Sequence, residues 1–272
     1  MLHQVTKAIA RRSANVVLLG SRFKKRACVA LILREQHDGV EMLFVRRAIN
    51  PRDRWSGQMA FPGGRQDPKE TDRETVQRET LEEIGLDLCS KAGYIGQLDD
   101  AQASENLSVG VYVYRLAPSH VDVEFQLDPS EISDVLWVKF DYFLTNPIQQ
   151  VITLRLVDFA EHLRPMEWLL RYCRMDRIDF PCIYLPRPKE VQIHETKRHM
   201  QDYVLWGFSL GVLSQFFQHT DLGSKFALKL STRYRIFRFF ARHRSRMAKT
   251  AGTSIIVTLS AGLAYGYLRS RL

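Results

Sequence analysis

Three glutamates, Glu79, Glu82 and Glu83, fall within five residues of one another. On a helix that advances about 100° per residue, Glu82 and Glu83 lie within about 60° and 40° of Glu79, so the three carboxylates share a face. Carboxylates this close raise one another's pKa unless a cation neutralises them. A set of oxygen donors with room for waters and substrate phosphates suits Mg²⁺ or Mn²⁺. Glu79 and Glu83 stand one helical turn apart, the spacing at which two side chains reach a single ion. An isolated cluster of this kind is more often a solvated acidic helix face, so the flanking residues have to decide between the two readings.

The elements that position this face are readable around it. Residues 71–84 are expected to form a helix ended by Gly85 in the left-handed conformation, with Leu81, Ile84 and Leu88 on the side away from the glutamates. Short apolar segments bounded by turn residues predict strands at 28–33, 41–46, 58–61, 94–97, 109–116, 121–125 and 135–140, with His37-Asp38-Gly39 as a hairpin turn. Strands with helices packed on them make an α+β domain. Residues 146–204, which contain five of the ten prolines, read as an insertion suited to a lid, with a strand at 180–186 whose aromatic content serves either core packing or an adenine.

The flanking residues run Gly64, five residues, Glu70, seven residues, Arg78-Glu79, two residues, Glu82-Glu83, one residue, Gly85-Leu86. This spacing resembles the Nudix box at each of its fixed positions, with Thr80 where the pattern has an aliphatic residue. The resemblance implies a Nudix fold, an α/β/α sandwich around a mixed sheet, and hydrolysis of a nucleoside diphosphate linked to another moiety. It also implies that Glu79 and Glu83 are principal metal ligands, that Glu82 is a further ligand or water orienter, and that the Gly64 carbonyl completes the shell. Glu70 and Arg78 would form the pair that fixes the loop before the helix. A general base in such enzymes is often a distant glutamate, for which Glu131 is the first candidate and Glu105 the second. Glu131 could equally be a cap for the turn that follows it.

Upstream, Gly57-Gln58-Met59-Ala60-Phe61-Pro62-Gly63-Gly64 is similar to the element before the box in coenzyme A diphosphatases, which release 3′,5′-ADP and 4′-phosphopantetheine. Trp55 stands where that group carries histidine, and its arginine-serine spacing is not reproduced at Ala48-Ile49. The resemblance resumes at Glu131-Ile132, at Val135-Leu136-Trp137-Val138, and at Leu205-Trp206-Gly207-Phe208, which is similar to the closing helix of that group. The alternatives are a diphosphatase of ADP-ribose or NAD(H), and a non-catalytic Nudix-fold module that binds a nucleotide at a membrane.

Length and charge limit the remaining possibilities. The 272 residues, 45% hydrophobic and 25% charged, suffice for a globular core. Of the 39 Lys and Arg, eleven follow Asp221 and seven precede Ala27, so residues 27–221 hold 21 basic against all 30 acidic side chains. The net +9 therefore sits at the two ends, which argues against a nucleic-acid groove on the body. Four cysteines without CxxC spacing favour a reducing compartment, and the histidines show no metal-ligand pairing.

The expected order along the chain is a basic segment at 1–25, a Nudix domain at 26–217, a basic amphipathic helix at 218–249 and an uncharged stretch at 250–268. The first segment is either a transit peptide or a solvated helix leading into the domain. Residues 250–268 are long enough for a helix to cross a bilayer, with Ser254, Thr258, Gly262 and Gly266 on one stripe, or else form a buried C-terminal helix. The expected arrangement is a helical, membrane-associated tail holding the body at an intracellular membrane, mitochondrial or peroxisomal, with the body facing the cytosol. The terminal Ser270-Arg271-Leu272 resembles a peroxisomal address that competes with a span for the same residues. A homodimer is compatible with this plan.

Overall fold

The computed structural model describes residues 1–16, 25–50, 55–104, 106–145, 150–159, 164–165, 167–172, 176–186, 203–220, 222 and 226. The elements follow in the order α1 (Leu2–Ala10), β1 (Lys25–Gln36), β2 (Gly39–Arg47), β3 (Met59–Ala60), β4 (Gly63–Arg65), α2 (Asp72–Ile84), α3 (Leu88–Lys91), β5 (Ala92–Gln97), β6 (Ala101–Ser104) and β7 (Leu107–Leu116). After these come β8 (Ile132–Lys139), α4 (Phe140–Thr145), β9 (Gln150–Arg155), α5 (Leu156–Phe159), α6 (Glu167–Tyr172), β10 (Arg177–Tyr184), β11 (Val204–Trp206) and α7 (Gly207–Gln218). The chain divides into two units, Met1–Gln150 with Pro181–Lys229, and Val151–Phe180 with 230–272.

The first unit holds the glutamates. Its sheet runs β3-β2-β1-β7-β5, with β4 also on β1, β6 on β7 and β8 on β2. β1 and β7 are parallel while β1 and β2 are antiparallel, so the sheet is mixed. β1 is buried along most of its length because both of its faces are covered, as a central strand's must be. Ala27, Val29, Leu31 and Leu33 enter one core, which takes Leu2, Val5 and Ile9 of α1, Phe140 and Phe143 of α4, and Leu213, Phe216 and Phe217 of α7. Cys28, Ala30 and Ile32 enter the other, with Val76 and Ile84 of α2 and Leu88 of α3. Helices on both faces of a mixed sheet are the sandwich expected from the sequence.

In the second unit, Thr153 Oγ1 donates to Asp179 at 2.8 Å, the Leu156 amide to the Asp176 carbonyl at 2.7 Å, and Arg155 pairs with Glu167 at 2.6 Å. Trp168 and Tyr172 of α6 are exposed.

Several expectations are corrected. Leu81 is half exposed, and the inner stripe of α2 is Val76, Thr80, Glu83 and Ile84, a run at helical spacing that carries Glu83 inward with it. Residues 121–125 are not a strand. They lead into backbone amides that serve the end of α2, Gln126 N–H donating to the Ile84 carbonyl and Asp128 N–H to that of Glu83, both at 3.0 Å. The closing segment is strand before it is helix: Val204–Trp206 pairs with β10, and Gly207 at φ +56 makes the break into α7. The N-terminal helix buries Leu2, Val5 and Ile9 in the main core. Among the described residues no helix is long and apolar enough to cross a membrane, and residues 250–268 lie outside them.

Candidate active site

The helix that carries the glutamates is fixed at both ends. Thr71 is its N-cap in a reciprocal capping box with Glu74, the Thr71 amide donating to Glu74 Oε2 at 2.7 Å and the Glu74 amide to Thr71 Oγ1 at 3.3 Å. Gly85 closes the other end at φ +68 as expected. The first turn is tied to the sheet by a buried network. Arg26 of β1 pairs with Asp72 and with Asp100, and Asp72 also accepts from Tyr112 Oη at 2.7 Å. Burial pushes the Asp72 carboxyl up, but the Arg26 and Tyr112 hydrogen bonds outweigh it and hold the group below its ordinary value.

The loop before the helix comes equally close. Gly63, at φ +138, lies where a Cβ would fall 2.2 Å from the Cys28 carbonyl oxygen, so only glycine fits between the loop and β1. Its amide donates to Glu83 Oε2 at 2.8 Å. A Cβ on Gly64 would lie 2.3 Å from Glu79 Oε2. The expected Arg78–Glu70 pair is present and bidentate, Nε to Oε1 at 2.7 Å and Nη2 to Oε2 at 3.1 Å, and Arg78 Nη2 also donates to the Arg65 carbonyl at 3.1 Å. Glu70 is held down at about 2 by the Arg78 hydrogen bonds, with the Asp67 amide and Thr75 assisting.

The three clustered glutamates are not equivalent. Glu83 is 3% exposed. Burial pushes its carboxyl up to about 8; the Gly63 amide works against this, Glu79 and Glu131 add to it, and Arg47 opposes it least. Glu79 is raised by burial and, in part, by Glu82 and Glu131, against the pull of Arg78. Glu82 is 59% exposed at its side chain and turns to Arg78 Nη1 at 2.8 Å, while the same nitrogen reaches Glu79 Oε1 at 3.1 Å.

Glu131 is exposed and adds its charge to both Glu79 and Glu83. No turn follows Glu131, which leads directly into β8; the turn before it is held by Asp128, whose Oδ1 takes the Ser130 amide at 2.8 Å and whose carbonyl takes the Glu131 and Ile132 amides. Glu105 lies outside the described residues.

The donor chemistry, oxygen only, is of the kind a divalent cation takes. Among the described residues no group of three or more His, Cys, Asp or Glu side chains is arranged so that it could hold a metal ion. Yet Glu83 is a buried carboxylate beside the half-buried Glu79 and within the field of Glu131, with Arg47 the weakest of the charges acting on it. Oxygen-only donors crowding like charge are what a hard cation neutralises. The arrangement assembles Glu79, Glu83, the Gly64 loop and Glu131 at one place, with Arg78 drawing Glu82 to its flank.

Residues 23–155 match the NUDIX domain family. The matched stretch contains α2, both glycines of the loop and Glu131. A Nudix hydrolase 3 of Caenorhabditis elegans is 44% identical over 82 residues, covering 29% of this chain and 33% of the relative. An uncharacterized protein of Schizosaccharomyces pombe is 36% identical over 106 residues, 35% of this chain and 31% of its own. The chain thus spans about a third of the length of these relatives. Among solved structures, an Ap4A hydrolase of C. elegans is similar at 20% identity and a TM-score of 0.36, over 54% of this chain and 98% of that one. The NUDIX domain of Shewanella oneidensis NrtR, complexed with ADP ribose, is similar at 17% identity and 0.36, over 56% and 90%.

Sequence spacing singled out Glu70, Glu79, Glu82 and Glu83 but not the groups that support them. The Gly63 amide, Arg47 and the Arg26–Asp72–Asp100 network come from separate strands and loops, and no local pattern marks them.

Proposed function

We propose that the NUDIX domain makes this chain a pyrophosphate-bond hydrolase, dependent on Mg²⁺ or Mn²⁺, that cleaves a nucleoside diphosphate linked to another moiety. The observation that carries this reading is Glu83, a carboxylate only 3% exposed and held by the Gly63 amide at 2.8 Å, one helical turn from Glu79. Glu79, Glu83 and the Gly64 carbonyl would hold the cation, with Glu82 as a further ligand or water orienter released from Arg78. When bound, such an ion lowers the pKa of a coordinated water and offsets charge on the diphosphate. The chain's own part is positioning, as in other phosphoryl transfers. Arg78 and Glu70 lock the loop, Gly64 leaves space for the Glu79 carboxylate, and the Glu131 carboxylate takes the proton from the attacking water.

Within this class we favour coenzyme A or an acyl-coenzyme A as substrate, on the Gly57–Gly64 element, and hold ADP-ribose or NAD(H) as the second reading because Trp55 replaces the usual histidine. We also propose that the basic and uncharged C-terminal segments attach the chain to an intracellular membrane, mitochondrial or peroxisomal, with the body facing the cytosol. Product analysis of the full chain with either metal against coenzyme A, acyl-coenzyme A, ADP-ribose and NADH separates the readings. Release of 3′,5′-ADP supports the first and AMP the second. Nucleotide binding without any cleavage would favour the non-catalytic module. Loss of membrane sedimentation on deleting residues 222–272 tests the attachment, and retained sedimentation would overturn it.

A further inference from the structure

We infer that Asp128 is a positioning residue that sets where the Glu131 carboxylate stands against Glu83. The inference rests on the hydrolase reading, with Glu131 as its base, for what is positioned; the positioning itself rests on hydrogen bonds. Asp128 is bonded through its backbone to both glutamates. Its amide donates to the Glu83 carbonyl at 3.0 Å, and its carbonyl accepts from the Glu131 amide at 3.1 Å and from the Ile132 amide at 2.8 Å. One residue therefore stands between the helix that carries Glu83 and the carboxylate proposed to take the proton.

The loop that carries Asp128 lies directly on the end of α2. Gln126 N–H donates to the Ile84 carbonyl at 3.0 Å, and a Cβ on Gly85 would fall 2.7 Å from Gln126 Cβ, so the left-handed glycine that ends the helix also admits the loop. These amides take up carbonyls that a helix leaves unpaired at its C-terminus, which ties the loop to the glutamate-bearing helix itself. From the other side Ala48, next to the end of β2, donates its amide to the Glu131 carbonyl at 2.7 Å. Glu131 is thus held at its amide by Asp128 and at its carbonyl by Ala48, while its charge acts on both Glu79 and Glu83.

The Asp128 side chain fixes the course of the turn between these anchors. Its Oδ1 accepts from the Ser130 amide at 2.8 Å and from Ser130 Oγ at 2.7 Å. An aspartate that takes the amide two residues on makes an Asx turn, and Pro129 sets φ in between. Ser130 immediately precedes Glu131, so the two bonds hold the chain just ahead of the Glu131 side chain. Pro129, Ser130 and Glu131 are exposed, which leaves hydrogen bonds rather than burial to hold the turn. A base on a loosened turn is displaced from the attacking water, and small displacements of a reacting group are costly in rate.

The test uses the full chain as wild type, Asp128→Ala, Asp128→Asn, Glu131→Gln and the double variant Asp128→Ala with Glu131→Gln. In Mg²⁺ or Mn²⁺, kcat and KM are read for whichever of coenzyme A, acyl-coenzyme A, ADP-ribose and NADH is cleaved, and the thermal midpoint is read on each preparation. Asp128→Ala removes the acceptor and should lower kcat by about 10- to 100-fold with KM held within about twofold. Asparagine keeps Oδ1 and should restore kcat to within about threefold of wild type. A residue that acts through Glu131 has nothing left to position once that carboxylate is gone, so the double variant should be no slower than Glu131→Gln. Losses that multiply in the double variant, or that follow a lowered midpoint and resist asparagine, would overturn the positioning role. Full turnover in Glu131→Gln would overturn it too and leave the hydrolase reading standing, whereas a wild type that cleaves none of the four would sink the hydrolase reading and this role with it.

Discussion

Gly64 stands so close to Glu79 that a Cβ there would fall 2.3 Å from Oε2 and 2.4 Å from the carboxyl carbon. Both are atoms at the far end of a flexible side chain, so the conflict is relieved by moving the carboxylate and leaves the fold in place. Gly64→Ala should therefore fold normally and lose activity by about 100-fold, the cost of displacing a catalytic group by an ångström. Circular dichroism and kcat on the same preparation check this, and near-normal kcat would remove Glu79 from the site.

Glu83→Gln keeps an oxygen for the Gly63 amide and removes a buried charge. Metal-dependent turnover should disappear, while the metal-free protein becomes more stable by on the order of 1 kcal/mol. Thermal unfolding in EDTA measures the second effect. A lowered midpoint would mean that the Glu83 charge is compensated within the chain.

Thr80 is fully buried and its hydroxyl finds no hydrogen-bond partner among the described residues. Thr80→Val has nearly the same shape and removes the orphaned group, so it should stabilise the protein by about 1 kcal/mol with kcat unchanged. Urea unfolding decides, and destabilisation would show that the hydroxyl is satisfied.

These supports mark how far the sequence reached. The box residues lie within 23 positions of one another and share one helix and one loop, so spacing alone brought Gly64, Glu70, Arg78 and the glutamates together. The face of α2 was misjudged at Leu81 and Glu83 because helical angles say which residues are neighbours but not which side meets the sheet. That choice is made by Val76 and Ile84 packing on Cys28, Ala30 and Ile32. Residues 121–125 alternate like a strand, yet the unpaired carbonyls at the end of α2 take the amides just beyond them. The burial of α1 was hidden by Lys7, Arg11 and Arg12, which flank a short apolar stripe.

Ile9 of that stripe is fully buried and lies against Gly96, whose added Cβ would meet Ile9 Cγ2 at 3.0 Å. Ile9→Ala should cost about 2–5 kcal/mol. An unchanged unfolding midpoint would show that α1 is not part of the core.

Asp72 has a depressed pKa in the folded protein, so its contribution to stability is complete above its ordinary value near 4 and is lost as pH falls through the lower folded value. Unfolding below about pH 4 should therefore be steeper in wild type than in Asp72→Asn, which lacks the titrating group. Equal slopes would mean that the Arg26 pair does not hold the first turn of α2.

The most direct test of the central claim is turnover of a nucleoside diphosphate derivative by the full chain, with α1 included, in Mg²⁺ or Mn²⁺, beside Glu83→Gln and beside EDTA. The account predicts cleavage of the phosphoanhydride that requires metal and vanishes in the variant. Cleavage that persists in Glu83→Gln or in EDTA would contradict it.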